Sequence, residues 1–197
     1  FFDKPLANID TIYSPRKFFG VSDGGYLYTH TRLDAKLEQD ESTEFSEQLL
    51  GRWDKSGSHY YKQYQKAENR LIGQPIKSMS KLTQEILKSI DYEVAKSKRV
   101  NNFEQLHLKL KNMNALNLDH IKLNGPMVYP FVTKIPMLRE YLIEKKVYVA
   151  RYWGEVLDRD GVGNAEQRIV QSLVPLPIDQ RYGKEDMQRV LTILTEK

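Results

Sequence analysis

Ile12-Tyr-Ser-Pro-Arg-Lys-Phe-Phe-Gly-Val-Ser-Asp-Gly-Gly-Tyr-Leu-Tyr28 is the stretch whose reading decides the fold. Asp10–Tyr13 reads as a short buried strand. Ser14 and Pro15 end it, because proline has no N–H with which to continue a ladder. Lys17 then stands in a turn ahead of two aromatics. Asp23-Gly24-Gly25 makes a second turn, since glycine accepts positive φ at little steric cost. Tyr26–Thr29 returns as a second strand. A lysine is thus held on a loop between two strands, with Ser14 three residues before it and Gly24 and Gly25 seven and eight after it. Ser-Pro-Arg-Lys is also a proline-directed phosphorylation pattern and a minor-groove DNA-binding pattern, and a lysine in such a loop can simply be solvated.

Downstream of Leu33 the pattern turns helical. Residues 43–53 place Phe45, Leu49 and Leu50 on one face and end at Trp53. Residues 58–72 space Tyr60, Tyr61, Tyr64, Ala67 and Leu71 at helical intervals, a stripe that reads as core or interface before it reads as a ligand site. Gly73 and Pro75 stop that helix. Ser80 caps the next one, with Leu82, Ile86, Leu87 and Ile90 inward. Residues 92–113 form a long amphipathic helix striped by Phe103, Leu106, Leu110 and Met113. Lys96, Lys98 and Arg99 read as its solvated face.

From Met127 a different alternation begins. Met127–Val132 is strand-like, with Pro130 marking an edge or bulge. Pro136 opens a helix to about Lys145, with Leu138, Tyr141 and Leu142 inward. Val147–Trp153 is a second strand. Asn164 caps a helix ending near Leu173, Leu173–Ile178 is an edge strand, and Met187, Val190, Leu191 and Leu194 stripe a last helix. The fold class is α/β in an α+β arrangement: a helical middle region and a small C-terminal domain whose short, mainly antiparallel sheet is covered by helices. Val147, Val149, Leu173, Leu191 and Leu194 are its expected core. Three stretches result: 1–32 with the lysine loop, 33–115 as a helical connector, and 116–197 as the small domain.

Composition narrows the function classes. With no cysteine, neither disulfides nor thiolate metal sites exist, and the four histidines lack ligand spacing, so no metal is expected. No apolar run approaches the roughly 18 residues of a membrane span, and no signal peptide is read. A net charge of +4 from interleaved charges gives no nucleic-acid patch. The expected setting is cytoplasmic, without nucleic acid or membrane as partner.

The lysine loop resembles the cofactor loop of the fold-type I pyridoxal-phosphate (PLP) enzymes, and more narrowly that of the DegT/DnrJ-type sugar aminotransferases. The end of the chain is similar to that family too. Leu176-Pro-Ile-Asp-Gln-Arg-Tyr-Gly-Lys-Glu-Asp-Met-Gln-Arg-Val190 has the closing Leu-Pro-Ile, short turn, acidic pair and amphipathic helix. Asn164-Ala165 before a helix and the Tyr129-Pro-Phe131 strand add to it. The resemblance implies that Lys17 is the Schiff-base lysine, that Ser14 binds the cofactor phosphate, and that Gly24 and Gly25 let the backbone turn close to PLP. It implies transamination from an amino acid, usually glutamate, to a keto sugar. That sugar is commonly nucleotide-linked and destined for a surface polysaccharide, and the enzyme is expected to be a homodimer. Tyr152 and Trp153 are candidate substrate contacts.

Pro75-Ile-Lys-Ser-Met-Ser80 departs from the Asn-Tyr-Arg-type signature usual in that region of the family. The resemblance covers the C-terminal half of a family member. The acid for the pyridine nitrogen and the aromatic that stacks on the ring are expected upstream of Phe1, and residues 1–32 read as the remnant of a truncated large domain. A portion of this kind is expected not to hold PLP productively by itself. A non-catalytic binding module derived from the same fold stands as the alternative.

Overall fold

Thr11–Tyr13 (β1) and Tyr26–Tyr28 (β2) pair antiparallel, with Tyr13 opposite Tyr26 and Thr11 opposite Tyr28. The hairpin expected from the sequence is present, but it is not buried: Ile12 is 77% exposed and every residue of β2 is open to solvent. In this computed structural model, which describes residues 1–197, the chain divides into two compact units, Phe1–Asp91 and Tyr92–Lys197. The expected 33–115 stretch is therefore shared, residues 33–91 lying with the lysine hairpin and 92–115 with the C-terminal residues. Helix and strand are mixed: seven α-helices accompany two antiparallel sheets of two strands each. No helix is long and apolar enough to cross a membrane.

In the first unit Glu47–Asp54 (α1), Tyr61–Arg70 (α2) and Lys81–Lys88 (α3) follow the hairpin. Residues 43–53 are not one helix. Thr43–Phe45 is a single 3₁₀ turn, and α1 starts after Ser46. Leu50 is exposed rather than inward, and Trp53 at the end of α1 and Tyr61 and Tyr64 on α2 are exposed as well. α1 packs on α2 through Gly51, where any Cβ would collide with the Tyr60 ring. Ser80 caps α3 as expected, its hydroxyl accepting from the Thr83 N–H at 3.1 Å.

The second unit is built on Tyr92–Leu110 (α4), Val128–Val132 (β3), Leu138–Glu144 (α5), Asn164–Ser172 (α6), Leu173–Pro177 (β4) and Lys184–Thr195 (α7). Phe103, Leu106 and Leu110 of α4, Tyr129 and Phe131 of β3, and Leu176 of β4 meet the inward face of α7 in one continuous core. That core includes the expected Val147, Val149, Leu191 and Leu194. Leu173 is only half-buried, and Met113 at the end of the α4 stripe is exposed, because the helix tightens into a 3₁₀ turn at Lys111–Met113. Gly183 rather than a polar residue precedes α7, and Asp186 reaches back to accept its N–H at 2.9 Å. Asn164 is the first residue of α6, and Gly163 occupies the cap.

Prolines limit the β3–β4 sheet to two strands. Pro130 stands directly opposite Pro175. Neither has an N–H to donate, so this is a pair that exchanges no hydrogen bonds, and both backbones turn their polar groups outward. On the outer side of β3, Asn114 takes the place of a third strand: its side chain donates to the Pro130 carbonyl at 2.8 Å and accepts from the Val132 N–H at 3.0 Å. The Ala115 N–H adds a bond to the Val132 carbonyl at 2.8 Å. On the outer side of β4, Pro175 and Pro177 offer no donor. Val147–Trp153, expected as a strand, therefore pairs with neither edge. It has no regular secondary structure, but Val147 and Val149 are buried and Tyr148 is exposed, which preserves the alternation without a ladder.

Candidate active site

Lys17 is the last residue of a 3₁₀ turn, Pro15–Lys17. Ser14 is extended, as a residue before proline must be, and Pro15 at the first position loses no hydrogen bond. The turn closes with the Lys17 N–H on the Ser14 carbonyl at 3.3 Å and the Phe18 N–H on the Pro15 carbonyl at 2.9 Å. Arg16 is drawn to Glu68 of α2 in an ion pair. Lys17 is left in solvent, its amine in no hydrogen bond or ion pair. The half-buried Ser14 does not use its hydroxyl to cap the turn.

Behind the turn lies a cluster of rings that periodicity could not reveal. Phe1 sits 5.1 Å from Phe19 and 5.4 Å from Phe18, and also meets Tyr13 and Tyr26. Phe2 meets Phe18 at 5.8 Å. These contacts join residues far apart in sequence. The only local hint was the density of aromatics on both sides of Lys17.

Asp23 ties the far end of the loop to α3. Its carboxylate, 3% exposed, accepts from the Ser80 N–H at 2.7 Å, from the Ser80 hydroxyl at 2.8 Å and from the Thr83 hydroxyl. Ser42 joins through Ser80 at 2.7 Å. Burial pushes the Asp23 carboxyl up, but the hydrogen bonds from Ser80, Thr83 and Ser42 outweigh it and hold the group below the usual carboxylate range. No cation is needed, since the first N–H groups of α3 favour negative charge there. The sequence marked Asp23 as a turn residue and Ser80 as a cap, but nothing in it joined the two.

Gly24 has φ 97°, and a Cβ there would meet Met79 at 2.8 Å, so a side chain is barred on both counts. Gly25 differs from expectation. It has no left-handed conformation, and a Cβ would only touch the Tyr13 carbonyl at 3.6 Å.

Ser14, Lys17, Gly24 and Gly25 are thus gathered on one hairpin. Tyr152 and Trp153 are a pair of their own in the second unit, rings 5.6 Å apart, between α5 and α6. Trp153 is 56% exposed in a left-handed conformation at φ 55°. Tyr152 is half-buried, which pushes its hydroxyl pKa up.

The closing motif is held by polar residues of α4. Arg99, expected on a solvated face, is 1% exposed. Its guanidinium donates to Gln180 Oε1 at 2.8 Å and to the Pro126 carbonyl at 3.0 Å. Burial brings it down to about 10, against the pull of Asp179. Asn102 donates to the carbonyls of Ile178, Asp179 and Tyr182. Asp179 forks onto Arg181 at 2.7 and 2.9 Å. The turn between β4 and α7 is therefore fixed from one side by α4 and from within by its own ion pair. Comparison of the chain with protein-family models, with curated proteins and with solved structures found no match.

Proposed function

We propose that this chain carries the lysine-bearing part of a PLP-dependent aminotransferase site of the DegT/DnrJ type, acting on an amino acid donor and a keto sugar. The observation that carries the reading is the Lys17 turn. An uncommitted amine follows an uncommitted serine hydroxyl by three residues, on a connection between two antiparallel strands whose far end is clamped by Asp23. Structural context of this kind is what a motif needs before it weighs as more than a pattern.

The two groups fit the cofactor at two points. An amine can bond an aldehyde, and a hydroxyl can donate to a phosphate oxygen. When bound, PLP supplies the electron sink that lets an amino group leave a carbon. Lys17 holds the cofactor at rest and then carries a proton at its Nζ. Ser14 orients the phosphate end, and Gly24 keeps the loop backbone close and free of side chains. A sugar carried on a nucleotide, a place in polysaccharide synthesis and a homodimeric assembly belong to the same proposal.

Borohydride reduction of the full-length holoenzyme, followed by peptide mapping, tests it. The expected result is a pyridoxyl group on Lys17, lost in Lys17→Ala without a change in melting temperature, because exposed substitutions usually cost less than about 0.5 kcal/mol. Label on Lys81, or no label, overturns the assignment. The second reading, a binding module without catalysis, is favoured by the openness of Lys17 to water. Catalytic groups normally work where water is excluded.

A further inference from the structure

The second unit contains an open cleft of about 840 Å³ that no part of the aminotransferase reading uses. It lies between the loop after β3, the start of α5, the irregular stretch before Tyr152 and one face of α6. Four different elements each send one cation to its wall: Lys134, Arg139, Arg151 and Arg168. Glu140 is the single carboxylate among the lining residues. Lys134 and Arg151 are exposed, with no ion pair of their own. Arg168 uses its Nε on the Asn164 carbonyl at 3.2 Å, and its two terminal nitrogens remain. Arg139 is only loosely paired with Glu140, at 3.7 Å, and its Nε is buried without a hydrogen-bond partner. A buried donor left unmade is costly, and an acceptor arriving from outside relieves it.

Thr133, Gln171 and Ser172 add neutral hydrogen-bonding groups to the wall. Between them the lining is apolar: Ile135, Leu138, Ile169, Val170, Leu173 and Val174. The volume falls in the range of small-molecule sites, roughly 300–1,000 Å³, and far exceeds what one inorganic anion fills. Three of the four cations are arginines, whose planar fork suits the paired oxygens of a phosphate. Converging cations with one opposing acid ask for a ligand of several negative charges. The apolar lining asks for a body attached to them.

We propose that this cleft binds an organic diphosphate, a diphosphate group esterified to an aromatic or apolar body. The diphosphate meets Arg139, Arg151 and Arg168, and the body rests on the Ile135–Leu138 and Ile169–Val174 sides. Because the cleft is complete within the second unit, the proposal stands whether or not Lys17 carries PLP.

Titration calorimetry on the whole protein tests it with three probes: adenosine diphosphate, farnesyl diphosphate and inorganic pyrophosphate. One of the two esters should bind more tightly than pyrophosphate, and which one does so separates a nucleoside body from a prenyl body. Its affinity should fall as salt rises. Arg151→Gln combined with Arg168→Gln should weaken it by roughly tenfold or more. Both arginines are exposed, so the melting temperature should stay put. Lys62→Gln combined with Lys98→Gln, removing cations elsewhere, should change nothing. No binding by either ester, pyrophosphate binding as tightly as both, or equal affinity in the double arginine variant overturns the proposal.

Discussion

Asp23 is a buried carboxylate kept ionised without a cation. Three donors from Ser80 and Thr83 replace the water it has lost. Its folded-state pKa is lowered, so its stabilising contribution is fully present above the unfolded value of about 3.9 and is lost as pH falls through the lower folded value. Thermal melts between pH 2 and pH 6 should show a decline below about pH 4 that is reduced in Asp23→Asn. At neutral pH that substitution should cost about 1–3 kcal/mol, because the amide brings donors to a site already full of them. A cost below about 0.5 kcal/mol would mean that the loop is not anchored at Asp23. Lys17 reactivity should fall in the same variant if the clamp keeps its turn in place.

Among the elements, the sequence was most legible where burial is periodic. The α7 stripe and β3 stand where periodicity put them. Leu191→Ala should cost about 2–5 kcal/mol, whereas Leu50→Ala, 71% exposed, should stay within about 0.5 kcal/mol; chemical denaturation of both variants checks the contrast. What failed was any inference that depended on a partner distant in sequence. Val147–Trp153 alternates like a strand, but strand status needs an edge, and prolines and Asn114 had closed both. Arg99 looks solvated on a helical wheel, yet the Pro126 and Met127 carbonyls just before β3 and the Gln180 side chain after β4 give its buried guanidinium partners. Asn102→Leu should fill the same space and strand three carbonyls, costing about 1–3 kcal/mol. Amide shifts in an NMR spectrum should concentrate on residues 178–182. The candidate site divides the same way. The lysine turn was readable from proline and glycine chemistry, but the rings behind it and the Asp23 clamp were not.

For the molecule as a whole, the two units differ in how they hold together. The second has one continuous apolar core running from α4 to α7. The first buries few large apolar side chains, and leaves Leu6, Ile9, Ile12, Leu33 and Trp53 in solvent. It relies on Asp23, on the Arg16–Glu68 pair, and on Arg70, which bonds Asp40 and lies over the Phe45 ring at 4.2 Å. Local opening follows the density of buried apolar contact. Native-state hydrogen exchange should therefore protect α4, β3 and α7 well above α1–α3. Equal protection in both units would contradict this account.

The opposed prolines of β3 and β4 bear on how this protein meets other chains. A sheet with open margins can be copied by any extended segment that drifts against it, the first step of fibril growth. Here Pro175 and Pro177 withdraw the donors such a segment would need, and Asn114 shields the other margin. Crowding should therefore leave this small sheet unextended. Replacing both prolines, as Pro175→Val with Pro177→Thr, restores two N–H groups to the margin. Agitation should then produce thioflavin-positive fibrils that the parent protein does not form.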